Sequence, residues 1–420
     1  MKHLLLPLLI AAAPIVAVAQ SDSIPERAII LSGDATHPNH VNNIAELYSR
    51  ENMAFNDPAA PRFLFLDKKG KVALGIGGSL KATAMYDFNG AIDNNEFVTN
   101  QIPVPFNPAQ SERFGATAAY SSIFLKMVAT ETPVGRVVVY IQTEFSGDDG
   151  NYGLTLKQAY ATVGHLTLGK ARSTFSDAPA MAPTVDEQGP SGQVSAKQML
   201  IRYNSSSYNG FSWAISTELP SASYTVGTAA ASIAQRFPDI PAYIQYSWKQ
   251  GAHVRVSGIL RELSYRNNVT NKNRFATGWG VQLSAVGNIV GGLGFFGHYT
   301  YGKGIGEYIN DLSGEGLDLV PDAESGKLHA PAAAGWTAGL RYDFSPKFFI
   351  TGSYSRAQLY KSSAVSPDTY RYGQYIDANA FYNPWSDLTI GLEYVHGTRK
   401  NADGQAGRAN RITALVQYSF

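Results

Sequence analysis

The chain ends Arg411-Ile412-Thr413-Ala414-Leu415-Val416-Gln417-Tyr418-Ser419-Phe420. Ile412, Ala414, Val416, Tyr418 and Phe420 share one face of an extended strand; Arg411, Thr413, Gln417 and Ser419 share the other, where Leu415 is the single apolar residue. A half-apolar strand at a chain terminus needs a partner on both edges, because an unpaired edge is a template for aggregation. Pairing the last strand with the first, so that the sheet closes into a barrel, supplies both.

Upstream, the same alternation begins near Val72 and recurs to the end. It marks sixteen segments: 72–88, 111–130, 136–145, 153–163, 165–171, 197–204, 209–218, 242–249, 253–264, 275–287, 292–302, 335–343, 347–358, 370–382, 386–396 and 410–420. Their connections alternate in length. Glu131–Gly135, Gly164, Ser205–Tyr208, Gln250–Ala252, Asn288–Gly291, Ser345-Pro346 and Asn383–Trp385 are tight; 89–110, 172–196, 219–241, 303–334, 359–369 and 397–409 are long. An even number of strands with all tight turns at one end is the pattern of barrels that cross an outer membrane, with short periplasmic turns and longer external loops. The expected fold is therefore all-β: a 16-stranded antiparallel transmembrane β-barrel over 72–420.

The beginning of the chain agrees with export. Lys2, the apolar run Leu4–Val18 and Ala17-Val18-Ala19 before Gln20 read as a signal peptide over residues 1–19, too short for a helical span of roughly 20 residues. Removing Lys2 with it takes the formal charge from +1 to 0, so charge suggests no nucleic-acid partner. The chain contains no cysteine, which excludes disulfide stapling and a lipidated N-terminal cysteine. Forty glycines, 24 tyrosines and 20 phenylalanines accompany a mean hydropathy of −0.15, a value shared by soluble proteins and by barrels with a polar lumen. Residues 20–71, with four prolines and little alternation, read as a periplasmic N-terminal extension; Ile44–Met53 suits a short amphipathic helix, and Arg62–Leu66 a strand or a docking segment.

Alternation also assigns faces. Trp336, Ala338, Leu340, Tyr342 and Phe344 form one lipid-facing stripe, Leu388, Ile390, Leu392 and Tyr394 another, and Trp279, Val281, Leu283 and Ala285 a third. The opposite parity turns Lys81, Arg113, Arg136, Lys157, Arg202, Arg255, Arg261, Arg341, Arg371 and Arg411 into the lumen, with Lys126 in a segment long enough to bend. Fewer acids share that face: Glu144, Asp343, Asp377 and Glu393. Charge is costly against lipid, and a cation-rich passage favours anions. The alternative is a self-neutralising lumen in which each arginine pairs with a carboxylate.

The third long connection, 172–196, carries Asp177, Asp186 and Glu187 and is expected to fold into the channel and narrow it, setting acids opposite the basic wall. The acidic connection 303–334, with Glu307, Asp311, Glu315, Asp318, Asp322 and Glu324, reads as an exposed loop without calcium-loop spacing. No G-x-S-x-G, H-E-x-x-H or P-loop is present, so no catalytic residue, metal or cofactor is expected.

Export, the even strand count, the loop asymmetry and the terminal Phe420 together resemble the porins of Gram-negative outer membranes. More narrowly, VALGIGGSLKATAMYDF over Val72–Phe88 resembles the first strand of DcaP-like porins, a likeness sustained by Asn95-Glu96-Phe97, Gln101-Ile102-Pro103 and Arg113–Ala119. The resemblance implies an outer-membrane homotrimer of 16-stranded barrels, a long loop narrowing each pore, passage of small anionic solutes such as dicarboxylates, and recognition of Phe420 by the barrel-assembly machinery. Some such porins carry an N-terminal coiled coil; residues 20–71 are short and lack heptads. The rival functions are a substrate-specific channel with a defined binding site and a non-conducting surface adhesin or receptor barrel.

Overall fold

A computed structural model describes residues 28–33, 38–58, 60–147, 152–249, 251–322, 325–360 and 366–420. Residues 1–19, read above as a signal peptide, and Glu324 lie outside the described residues. Two strands precede the barrel: β1 (Ile29–Ser32) runs parallel to β2 (Phe63–Leu66), and helix α1 (Pro38–Leu47) lies between them. The sixteen barrel strands follow. They are β3 (Ala73–Phe88), β4 (Arg113–Thr117 and Ser122–Ala129), β5 (Val137–Glu144), β6 (Thr155–Val163), β7 (Leu166–Arg172) and β8 (Lys197–Asn204). Next come β9 (Phe211–Glu218), β10 (Ile240–Lys249), β11 (Ala252–Asn267), β12 (Lys272–Val290) and β13 (Leu293–Lys303). The last are β14 (Ala332–Ser345), β15 (Phe348–Leu359), β16 (Tyr370–Trp385), β17 (Leu388–Asn401) and β18 (Ala406–Ser419).

Every barrel neighbour is antiparallel, and β18 closes against β3 in register from Asn410↔Phe88 to Ser419↔Ser79. Phe420 completes the seam: its N–H donates to the Gly78 carbonyl at 2.9 Å and its carbonyl accepts from the Gly78 N–H at 2.8 Å. Gly78 is required there, because a Cβ would stand 2.5 Å from the Ser122 carbonyl and 2.8 Å from the Phe420 ring. Beyond Phe420 the free edge of β3 is taken by β2, with Phe63↔Ile76 and Leu66↔Ala73. Arg62 then pairs with Asp387 at 2.5 Å, tying β2 to the turn before β17.

In β18, Ile412, Ala414, Val416 and Tyr418 point outward, whereas Arg411, Thr413 and Leu415 are buried inward. The anomalous Leu415 packs inside the barrel against Val185, Phe349 and Phe381. An apolar residue on the polar face is thus satisfied by a loop folded into the lumen.

Three expectations need correction. The segment 111–130 is one barrel strand in two pieces: it breaks between Thr117 and Ser122, and the break reverses the alternation. Arg113 and Lys126, of opposite parity in sequence, both turn inward as a result. The connection 397–409 is mostly strand, because β17 runs to Asn401 and β18 starts at Ala406; outside the apolar band both faces are wet, so pairing continues where the hydropathy signal ends. The helix spans Pro38–Leu47 rather than Ile44–Met53, because the Arg50 guanidinium binds the carbonyls of Ala54 and Asp57, at 2.7 and 3.1 Å, and curls the chain there into a non-helical turn.

Candidate pore and constriction

The lumen is occupied from the external side by three interlocked connections. The first, 89–112, buries Ile92, Phe97 and Ile102 against Tyr375, Val395 and Ala409 of the wall. The second, 173–196, lies inside the barrel with nearly every residue buried. Its Gly192 meets the wall so closely that a Cβ there would stand 2.3 Å from the Arg356 carbonyl. The third, 304–331, packs Ile305, Tyr308, Ile309, Leu312, Leu317 and Val320 with Phe175 and Val194 of the second. The exposed acidic loop expected at 303–334 is therefore corrected: its acids Asp311 and Asp318 are buried. Burial pushes both carboxyls up to about 6, although Thr99 and Tyr370 donate to Asp311 and Arg261 pairs with Asp318. The missed signal was the apolar spacing of Ile305, Ile309 and Leu312 between the acids, which builds a packing face.

Residues 173–196 run along the wall from β11 round to β3. The Asp177 carboxylate accepts from Ser284 Oγ at 2.5 Å, with His253 Nε2 at 2.9 Å and Arg255 at 3.5 Å. The Asp186 carboxylate accepts the N–H groups of Phe97 and Gly189, at 2.9 and 3.0 Å, and its own N–H donates to Glu393 at 2.7 Å. Thr351 donates to the Pro183 carbonyl at 2.9 Å, and Lys81 pairs with Glu187 at 2.6 Å. Asp177 and Asp186 thus anchor the loop, and Glu187 touches Lys81 directly instead of facing it across a gap.

The basic residues singled out from sequence divide by partner. Arg113 meets Asp93 at 3.4 Å; Arg136 meets Glu46 and Glu51 at 2.9 and 3.2 Å; Lys157 pairs with Glu144. Lys157 faces inward beside Gln158 because a register shift in the β5–β6 pair places both on the lumen side. Arg341 pairs with Asp343 on its own strand at 2.7 Å and lies over the Phe349 ring. Arg255 binds Gln245 and stacks on Tyr243 as well as meeting Asp177. Arg202 donates to the Arg172 carbonyl at 3.1 Å. Arg371 sits at a register shift between Tyr370 and Tyr372, where alternation assigns no face. Arg261 does turn inward, but it is sealed beneath the external connections between Asp239 and Asp318, at 3.0 and 3.1 Å, with no exposed side-chain surface. Sequence reading missed Asp87, Glu218, Asp239 and Asp57 as the acids that share this interior. Asp87 was within reach, since it has the parity of Lys81 in β3.

At the short-turn end a chamber of about 1570 Å³ remains open between the wall from β4 to β11 and residues 41–53. Its lining holds seven Lys or Arg side chains, Arg50, Lys126, Arg136, Arg172, Arg202, Lys249 and Arg255, against two carboxylates, Glu46 and Glu51. Among the described residues no cluster of His, Cys, Asp or Glu could hold a metal ion.

The fold is shared with solved outer-membrane proteins. The outer membrane channel DcaP of Acinetobacter baumannii superposes with a TM-score of 0.73 at 21% identity, covering 84% of this chain and 99% of that one. A loop-deletion form of OmpT from Vibrio cholerae (TM-score 0.53, 10% identity) and the anion-selective porin from Comamonas acidovorans (0.53, 13% identity) each cover 83% of this chain and match over their full length. No curated protein sequence matches the chain closely enough to count as a relative. Residues 79–416 match the family model of the Porin subfamily, so the sealed barrel with its loop-filled lumen belongs to that family of porins.

Proposed function

We propose that this porin is a passive outer-membrane channel preferring small hydrophilic anions, dicarboxylates among them, and that it catalyses no reaction. The supporting observation is the charge of the chamber, where seven basic side chains line the open volume beside two carboxylates. Arg136, Arg172 and Arg255 among the seven pair with carboxylates, as most inward cations elsewhere do, so the local excess rests on Arg50, Lys126, Arg202 and Lys249. A local excess in a narrow passage sets the sign of the ion admitted. The filled external half of the lumen favours a solute-selective channel over a wide general pore; such a channel shows conductance that saturates and is blocked by its solute.

Homotrimer formation is part of the same reading. Strands β5 to β9 contain 8, 9, 7, 8 and 8 residues, mostly fewer than the roughly 9–11 that a tilted strand needs to span the hydrocarbon layer. Their outward Ile141, Leu168, Ile201 and Trp213 are apolar, and this low sector is better covered by a neighbouring barrel than by lipid. Export by the 1–19 signal and insertion by the barrel-assembly machinery through Phe420 complete the route to the membrane.

The deciding measurement is single-channel reversal potential across a salt gradient in planar bilayers. An anion-side reversal is expected. A cation-side reversal overturns the anion preference, and absence of conductance points to the receptor-barrel alternative.

A further inference from the structure

We infer that residues 48–58 form a strap across the periplasmic mouth of the pore that limits both its conductance and its anion preference. The inference rests on the channel reading above and assigns a role to a segment outside the barrel wall.

The strap is built to cross the lumen. Phe55 wedges its ring edge-on against Phe349 and Phe381, with centroids 5.8 and 5.2 Å away. Two residues later the Asp57 carboxylate pairs with Arg172 at 2.9 Å. Arg172 ends β7 and Phe349 lies on β15, strands half a circuit of the barrel apart. Side chains two positions apart therefore reach opposite sectors of the wall. Between those anchors, Asn56 donates to the Thr184 carbonyl at 3.4 Å, which sets the strap against the 173–196 loop. Tyr140 donates to the Pro58 carbonyl at 2.9 Å, and Met53 packs with Phe124 and Tyr140. The Asp57 carboxyl also accepts the Ala54 N–H at 2.9 Å, so the bend is preformed.

Its charge opposes that of the wall. Residues 38–58 contain three carboxylates, Glu46, Glu51 and Asp57, and one arginine, Arg50. Glu46 and Glu51 hold Arg136, and Asp57 holds Arg172. The segment therefore narrows the mouth and at the same time neutralises two of the cations that would otherwise face the passing solute. Displacing the strap widens the path, frees Arg172 and leaves Arg136 to Glu46 alone, so conductance and anion preference rise together. A segment serving only to fill space would change conductance alone.

The test compares the full chain with the double variant Phe55→Ala/Asp57→Asn in planar bilayers, after heat-modifiable mobility confirms an assembled barrel. Release of the strap is expected to raise single-channel conductance by about 1.5- to 2-fold and the anion-to-cation permeability ratio by about twofold. Conductance and reversal potential equal to those of the intact chain overturn the strap. Absence of conductance in the intact chain overturns the channel reading itself. An independent readout covers failure of the double variant to assemble. The chain has no cysteine, so Asn56→Cys with Thr184→Cys presents two thiols alone. A short thiol cross-linker should join them in the assembled outer-membrane protein, and no cross-link overturns the placement.

Discussion

The Arg411 guanidinium grips the Asp87 carboxylate with two nitrogens, Nε at 2.5 Å and Nη2 at 2.9 Å, and so joins the last strand to the first across the barrel seam. The two residues are register partners, both are buried, and Arg411 also donates to the carbonyls of Asn94 and Asn95, at 2.9 and 3.1 Å. The pair thus fastens the first external connection to the seam. Removing one partner leaves an uncompensated buried charge, which costs about 3–5 kcal/mol, whereas removing both costs much less. Arg411→Ala should lower the temperature at which the barrel loses its compact electrophoretic mobility. Asp87→Ala in the same chain should restore part of it; additive losses would mean that the two charges do not act as a pair.

Arg202 and Arg261 share inward parity but should behave differently. Arg261 is enclosed by Asp239 and Asp318, and it donates to the Gly304 carbonyl at 2.6 Å. Arg261→Ala therefore strands two buried carboxylates and should destabilise the barrel by about 3 kcal/mol or more, with loss of protease resistance in the external connections. Arg202 lines the chamber, so Arg202→Ala should lower the anion-to-cation permeability ratio while the barrel remains heat-resistant. Thermal unfolding paired with reversal potentials separates the two. A stable Arg261→Ala variant with weakened anion preference would reverse the assignment.

The contrast between these arginines marks how far the sequence could be read. Alternation carried the strand count, the closure at Phe420 and the inward parity of Lys81, Arg255 and Arg261, because a barrel wall repeats the same two-residue rule along each strand. It failed where the rule is interrupted, at the break before Ser122 and the register shift beside Arg371. Parity also says only that a side chain points inward; it does not say what fills the space it enters. Arg261 lies under a loop and Arg202 in a chamber because of contacts between segments far apart in the chain, such as Arg261 with Asp318. The strap was illegible for the same reason, since Phe55 and Asp57 acquire meaning only from Phe349 and Arg172.

Glu96 supplies a pH dependence. It lies in the first external connection, where burial and the neighbouring Asp186 and Glu187 push its carboxyl up to about 7, against the opposing pull of Lys157 and the hydrogen bond of Tyr120. Below that pH the group is neutral; as pH rises through 7 it gains a negative charge beside the basic wall. Anion preference should therefore weaken between about pH 6 and pH 8, and Glu96→Gln should remove most of that change. Reversal potentials recorded across this range check it, and an equal pH response in the variant would assign the titration to another group.

Phe420 tests the seam from its other end. Its backbone makes the last two hydrogen bonds of the closure with Gly78, and a Cβ at Gly78 would collide with its ring. Deleting Phe420 removes both bonds and leaves the Gly78 N–H and carbonyl without these partners at the junction where β2 takes over the edge of β3. Each lost bond contributes on the order of 1 kcal/mol, too little to unfold a barrel of sixteen paired strands. A purely structural role thus predicts a truncated chain that assembles at a nearly normal level and melts slightly earlier. Recognition of the terminal aromatic during insertion predicts a different result: a large fall in the amount of heat-modifiable protein in the outer membrane, with the assembled fraction almost as stable as the intact barrel. Phe420→Tyr, which keeps the aromatic ring and both backbone bonds, should restore assembly under either role. Phe420→Ala, which keeps the bonds but loses the ring, separates them: it should assemble poorly if the ring is read by the insertion machinery and well if only the bonds matter.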